Sequence, residues 1–172
     1  MGVRFFMNII KGKAVLLESI RQTVWEMNRS SRFYETRNYM QHGNTSVYMH
    51  SIAVCIKSID IALKFKLNVN WDSLIRGALL HDYFLYDYHD KIVPRYKHGI
   101  THAKRALKNA EEDFELNNIE REIIGKHMFP VNPNPPKYIE TWIVTLADKI
   151  VAVQETFKTK AVKKRILEFG NI

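Results

Sequence analysis

The chain has 172 residues, enough to bury a core without staples, and its 46% hydrophobic and 26% charged content is the balance of a globular protein. A single cysteine, Cys55, excludes an internal disulfide framework, and no apolar run approaches the ~20 residues of a membrane span. The formal net charge of +8 is spread along the chain, with a local concentration in KTKAVKKR (158–165).

The opening MGVRFFMNIIKGK is too short in its apolar part for a secretory signal and lacks a small-residue cleavage site. Phe6 stands where the myristoylation pattern needs Ser or Thr, so the expected compartment is the cytoplasm. Helical periodicity then dominates the chain. A first helix is expected at about 12–28, with Val15, Ile20, Val24 and Met27 near one face, followed by a polar segment ending in His42-Gly43-Asn44. Thr45 or Ser46 caps a second helix running to about Leu67, and Asn70 caps a third, WDSLIRGALLHDYFL. Cys55 lies in the apolar run SIAVCIKSI, the setting of a small buried residue rather than a reactive thiol.

A polar connection at about 87–98, holding Pro94, leads into a fourth helix, GITHAKRALKNAEEDFEL. Its apolar stripe is Ala103, Ala106, Leu107, Ala110 and Phe114. Asn118 is the expected cap of a short fifth helix through His127. FPVNPNPPK carries four of the five prolines and predicts a stiff non-helical crossing. A sixth helix, YIETWIVTLADKIVAVQETF, and a basic C-terminal helix ending near Gly170 complete one all-α domain of about six to seven helices over 1–172.

Ionisable residues on apolar faces are what point to function. His50 lies in a stripe with Val47, Val54, Ile61 and Phe65, and His81 shares a face with Leu74, Gly77, Ala78 and Leu85. Asp148 is flanked by Val144, Val151 and Ala152, and His127 sits over Ile123 and Ile124. A buried charge needs a partner, and any one of these residues alone reads as a hydrogen-bonded core residue. Several of them, on different helices, are better satisfied together by a shared metal centre. Imidazole with carboxylate suits Mn, Fe, Co, Ni or Zn, and the lack of a Cys cluster favours a catalytic over a structural site.

In order, the candidates are His50, His81-Asp82, His102, His127 and Asp148. This H…HD…H…H…D series, from TSVYMHSIAV to VTLADKI, resembles the HD-domain superfamily of metal-dependent phosphohydrolases over about residues 41–160. The resemblance implies that His50, His81, Asp82 and Asp148 hold a first metal. It implies that His102 and His127 add the ligands of the two-metal subgroup, with Asp82 bridging both ions and Asp82, His102 and His127 forming the catalytic set. Two oxygens let a carboxylate span ions roughly 3.5–4 Å apart. One departure is plain: many members continue as HDxGK, whereas here the sequence reads HDYFLYD. The aromatic residues Tyr83, Phe84 and Tyr86 are expected to pack the helix end.

The implied chemistry is hydrolysis of a phosphate ester of a small, nucleotide-like substrate by a water that one or two divalent transition-metal ions activate. Positive charge for the phosphate could come from Arg95, Lys97 and His98 before the fourth helix, or from Arg32 or Arg37 in the polar segment. His42, eight residues before His50, is a candidate proton donor or a loop cap, and Lys149 is expected to face solvent. The second pair, His89-Asp90, stands beside Lys91 and before Pro94 and reads as surface loop. Two other functions fit parts of the sequence. A di-iron oxygenase uses the same scaffold and ligands, and a non-catalytic basic module would bind nucleic acid or an acidic partner in a salt-dependent, metal-indifferent way. The charge carries no nucleic-acid-binding signature with it, the complete ligand set argues against the module, and the oligomeric state is open.

Overall fold

The computed structural model describes the backbone of residues 2–42, 45–86 and 95–157, with the side chains of 12–41, 45–86 and 101–156. Among them are six α-helices: α1 (Gly2–Ser30), α2 (Val47–Phe65), α3 (Trp71–Leu80), α4 (Arg95–Asp113), α5 (Asn118–Lys126) and α6 (Ile139–Phe157). A 3₁₀ helix (Arg32–Asn38) and an antiparallel pair, β1 (Met40–His42) and β2 (Thr45–Ser46), fill the segment between α1 and α2. The expected all-helical architecture holds, and the small ribbon is an addition that strands of three and two residues are too short to announce by alternation. None of the described helices is long and apolar enough to cross a membrane.

Helix α2 is central because it is apolar on nearly every side, the pattern of a helix that cannot face water. It packs against α6, α3 and α1. The Ser46 side chain caps its start by accepting from the Met49 N–H (3.4 Å). Its end turns at Lys66, in the left-handed region at φ 53°, with the Leu67 N–H reaching back to the Ala62 carbonyl (2.9 Å). Cys55 is fully buried there, and burial pushes its thiol pKa up, as packing rather than reactivity requires. Phe65 departs from the expected stripe: at 61% exposure it lies past the packed part of the helix.

Helix α1 is longer than the apolar pattern suggested and buries Ile20, Val24 and Met27, while Val15 is exposed. Asn70 caps α3 by accepting from the Ser73 N–H (3.0 Å). The cap of α5 is Asn117, one residue earlier than expected, because Asn117 and Glu120 close a reciprocal capping box. Ala103, Ala106 and Ala110 of α4 are buried as the stripe required. Helix α4 packs against α5, where Leu107 faces Gly125.

Two contacts set the spacing of the helices around the site. A Cβ on Gly77 of α3 would stand 2.5 Å from Ile123 Cδ1 and 3.1 Å from Ile123 Cβ, so the missing side chain is what lets α3 meet α5. From α5, Glu122 Oε1 accepts from the Lys137 N–H (2.7 Å), the Tyr138 N–H (2.8 Å) and the Thr141 hydroxyl (3.2 Å). That carboxylate ends the proline-rich crossing and seats the first turn of α6. His89-Asp90, Pro94 and the basic segment 158–170 lie outside the described residues.

Candidate metal centre

Helix α3 stops at Leu80, and a turn follows in which the Tyr83 N–H reaches the Leu80 carbonyl (3.1 Å). The expected continuation to Leu85 fails here for a reason that serves the site. In an unbroken helix, neighbours His81 and Asp82 would point about 100° apart. At the helix end both turn into the same pocket, and both are buried. Tyr83 and Phe84, fully buried, pack behind the turn as expected. Tyr83 donates its hydroxyl to Asp113 (2.6 Å), and Asn109 donates to the Tyr83 carbonyl (3.0 Å).

Six side chains converge into two groups that share Asp82. His50, His81, Asp82 and Asp148 form one, and Asp82, His102 and His127 the other, each with its ligand-type atoms within 4.8 Å of one another. His50 Nε2 lies 3.1 Å from Asp148 Oδ1 and 3.7 Å from Asp82 Oδ2. His81 Nε2 lies 3.3 Å from Asp82 Oδ2. Asp82 Oδ1 faces the other way, 3.3 Å from His102 Nε2 and 3.4 Å from His127 Nε2. The carboxylate therefore presents one oxygen to each group, the geometry that bridging needs.

The outer ring nitrogens fix which inner nitrogen is available. A carbonyl oxygen only accepts, so His81 Nδ1–H donates to the Ala78 carbonyl (2.8 Å) and His127 Nδ1–H to the Ile124 carbonyl (2.9 Å). His50 Nδ1–H donates to the Glu155 carboxylate (2.9 Å). Each ring is thereby held with Nε2 toward the centre, the arrangement that orients histidine ligands. His81 Nε2 and Asp82 Oδ1 are buried with no hydrogen-bond partner among the described residues. His102 Nε2 and His127 Nε2 stand 3.0 Å apart, a separation that calls for a proton or a cation between them.

The charges make the same demand. Three carboxylates, Asp82, Asp148 and Glu155, are buried around these rings, and buried anions need cationic compensation. Burial opposes ionisation of Asp82, yet the charge of His81 and the approach of His102 and His127 hold it well below the usual carboxylate range. Burial likewise opposes the charge on Asp148, but His50 pulls its pKa down to about 2. Burial works against a charged His50, and its bonds to Asp148 and Glu155 nonetheless push its pKa up to about 10. Burial keeps His127 below the ordinary imidazole value. A pocket of anions and inward-facing imidazole nitrogens fits a divalent transition metal, and the residues present could hold one ion in each group.

Other expected residues fare differently. Arg32 is engaged elsewhere: its guanidinium forks onto Asp113 (2.9 Å) and reaches Glu112 (3.0 Å), bonds that raise its pKa and tie the 3₁₀ helix to α4. Arg37 stacks over Tyr48 (4.2 Å) and Tyr34 (4.6 Å). Lys149 is exposed and bonds the Thr145 carbonyl of its own helix (3.5 Å). The side chains of His42, Arg95, Lys97 and His98 lie outside the described residues. Sequence reasoning missed Glu155 and Gln41. Glu155 was accessible, since it follows Asp148 by two helical turns on the same face; Gln41, in a segment without periodicity, was not.

Residues 47–153 match the HD domain family. No curated protein and no solved structure matches the chain. The match begins with the first residue of α2 and ends just beyond Asp148, taking in every segment that supplies a converging side chain, and the chain belongs to the HD domain family.

Proposed function

We propose that the protein is a metal-dependent phosphohydrolase acting on a phosphate ester of a small, nucleotide-like molecule. The observation that carries this reading is the pair of buried groups sharing Asp82. Divalent ions bound there would supply Lewis acidity, bringing a water's pKa toward neutrality and offsetting charge on the phosphoryl oxygens. His50, His81, Asp82 and Asp148 would hold the first ion, and Asp82, His102 and His127 the second.

The chain's own groups do the rest. Asp82 aligns the two halves of the site, and the bonds from the outer ring nitrogens of His50, His81 and His127 keep the inner ones aimed at the reacting centre. Buried aromatic rings behind the HD turn exclude water from the anionic cluster. Arg105, one turn after His102 on α4, stacks on Tyr86 (4.6 Å), and in this reading its guanidinium would meet a substrate phosphate. The +8 net charge draws anions in general.

The test is metal analysis of protein purified without chelator, joined to a phosphatase panel on wild type and His81→Ala. Wild type should carry a transition metal and hydrolyse a phosphate ester, with activity abolished by chelation. His81→Ala should lose about 10²–10³-fold in turnover, the scale of removing a positioned electrostatic group. A metal-free wild type, or full activity in His81→Ala, refutes the reading. Oxygen consumption by iron-loaded protein, with no hydrolysis, moves the same centre to oxygenase chemistry.

A further inference from the structure

Gln41 stands outside the His–Asp series and before the matched residues 47–153, yet it is buried to 6% exposure against Asp82. Its Nε2 donates to Asp82 Oδ2. The bond fixes the amide's orientation, because an ionised carboxylate only accepts and the Gln41 oxygen would be repelled. On the other side of the same carboxylate, Oδ1 faces His102 and His127 with no hydrogen-bond partner of its own. One oxygen of Asp82 is thus tethered, and the other is left for the second group.

The tether has a mechanical consequence. The last torsion of an aspartate is soft and roughly two-fold, so an unrestrained carboxylate exchanges its oxygens or tilts between the two groups. A single directed donor on Oδ2 removes that freedom. Oδ2 keeps a second lone pair for a ligand on the His50 and His81 side, so the bond and a cation need not compete. A neutral amide suits this position, because an arginine or lysine there would repel the cation and a carboxylate would repel Asp82.

The support of Gln41 is itself tied to the site. In the β1–β2 ribbon Met40 pairs with Ser46, the cap of α2, and the Val47 N–H bonds the Tyr39 carbonyl (2.8 Å). The strand carrying Gln41 is therefore pinned to the first turn of the helix that carries His50. We propose that Gln41 is the positioning residue of the bridging carboxylate, locking Asp82 so that Oδ2 serves the His50, His81 and Asp148 group and Oδ1 the His102 and His127 group. This inference rests on the metal-centre reading above, and it makes the segment before α2 part of the centre.

The test uses the full chain, stripped of metal and titrated with Co²⁺ by calorimetry and visible absorption, as wild type, Gln41→Met and Gln41→Asn. Methionine keeps the length and removes the donor; asparagine keeps the amide but withdraws it by one methylene. Both variants should bind Co²⁺ about 10–100-fold more weakly, the usual cost of losing a group that orients a ligand. The Co²⁺ absorption bands should also change, which a merely structural role in the ribbon would not cause. That role would lower the melting temperature of the metal-free protein and leave Co²⁺ affinity at the wild-type value, which overturns the inference. If Gln41→Met fails to fold, Gln41→Asn decides by the same criterion. Wild type that binds no Co²⁺ overturns both this inference and the proposed function, whereas equal affinities overturn this inference alone.

Discussion

The group of His50, His81, Asp82 and Asp148 holds two carboxylates and is backed by a third, Glu155, whereas the group of Asp82, His102 and His127 sets two imidazoles on one shared carboxylate. Their supports differ as well. The first is drawn from α2, α6 and the end of α3, which pack on one another, and the second from α4 and the end of α5. Attraction to a dication scales with the anionic charge close to it and falls with distance. The first group therefore predicts the tighter ion, and the second an ion that depends on Asp82 already being in place.

Removing one ligand from each half is the strongest way to break that comparison. Asp82→Ala should lose both ions and about 10²–10³-fold or more in turnover. Asp148→Ala should lose the tight ion, and His127→Ala should keep one tight equivalent while losing the weaker one. Metal content after dialysis, with Co²⁺ calorimetry on each variant, reads the stoichiometry directly. If His127→Ala loses all metal, the two groups act as one cooperative unit and the contrast between them is wrong.

A finer cut goes through the support of His50. Glu155→Gln keeps an acceptor for the His50 Nδ1–H and removes the negative charge behind it. Affinity for the first ion should fall about 10-fold, within the range of lost outer partners, while the second ion is unaffected at saturating first ion. Calorimetry resolving two Co²⁺ phases checks this. An equal loss in both phases would mean that Glu155 sets the field of the whole pocket rather than the posture of one ring.

The distance between the halves rests on Gly77 and Ile123, each one turn before a site histidine, His81 and His127, whose rings meet edge-on at 4.9 Å. Gly77→Ala gains about 1 kcal/mol of helix propensity and meets Ile123, and overpacking of a tight core costs about 1–3 kcal/mol. The overpacking should win, with a net loss of roughly 1 kcal/mol in chemical denaturation. Binding of the second ion should weaken with it, because the added methyl pushes α5 from α3. A stabilised variant would show that Ile123 simply rotates aside and that the halves are spaced by something else.

The helices and four of the six converging side chains were legible in the sequence because both follow from period, while Asp82 and His102 came only with the resemblance of the H…HD…H…H…D series. Apolar faces recur every three to four residues, and His50, His81, His127 and Asp148 break those faces at positions where a polar residue would otherwise be penalised. Caps were readable at Ser46 and Asn70, and displaced by one residue at Asn117 because Glu120 completes a box that only the observed register satisfies. What escaped was set by tertiary contact. The stop of α3 at Leu80 has no Gly or Pro to mark it. Arg32 has the chemistry of a phosphate ligand, and only its partners, some eighty residues away, show that it is spent elsewhere. Gln41 belongs to a ribbon too short to carry any pattern.

The strap between the halves is Glu122, which reaches from the helix of His127 to the start of the helix of Asp148. Its partial burial works against ionisation, but the backbone N–H groups of Tyr138 and Lys137, with Lys126 beside it, hold its pKa below the ordinary 4.5. The folded state thus favours the charged form. Its contribution is fully present above the unfolded pKa and is lost as pH falls through the lower folded value. Glu122→Gln keeps the acceptor oxygen and discards the charge, so at neutral pH it should cost about 1 kcal/mol, the difference between charged and neutral hydrogen bonds. The gap between wild type and variant should shrink as pH falls through the lowered folded pKa, where the wild-type carboxylate becomes protonated as well. Melting temperatures of the metal-free proteins from pH 7 to pH 3 measure that convergence. A gap that persists in acid would assign the loss to shape at the α6 cap, and the coupling of the two halves through this carboxylate would then be steric rather than electrostatic.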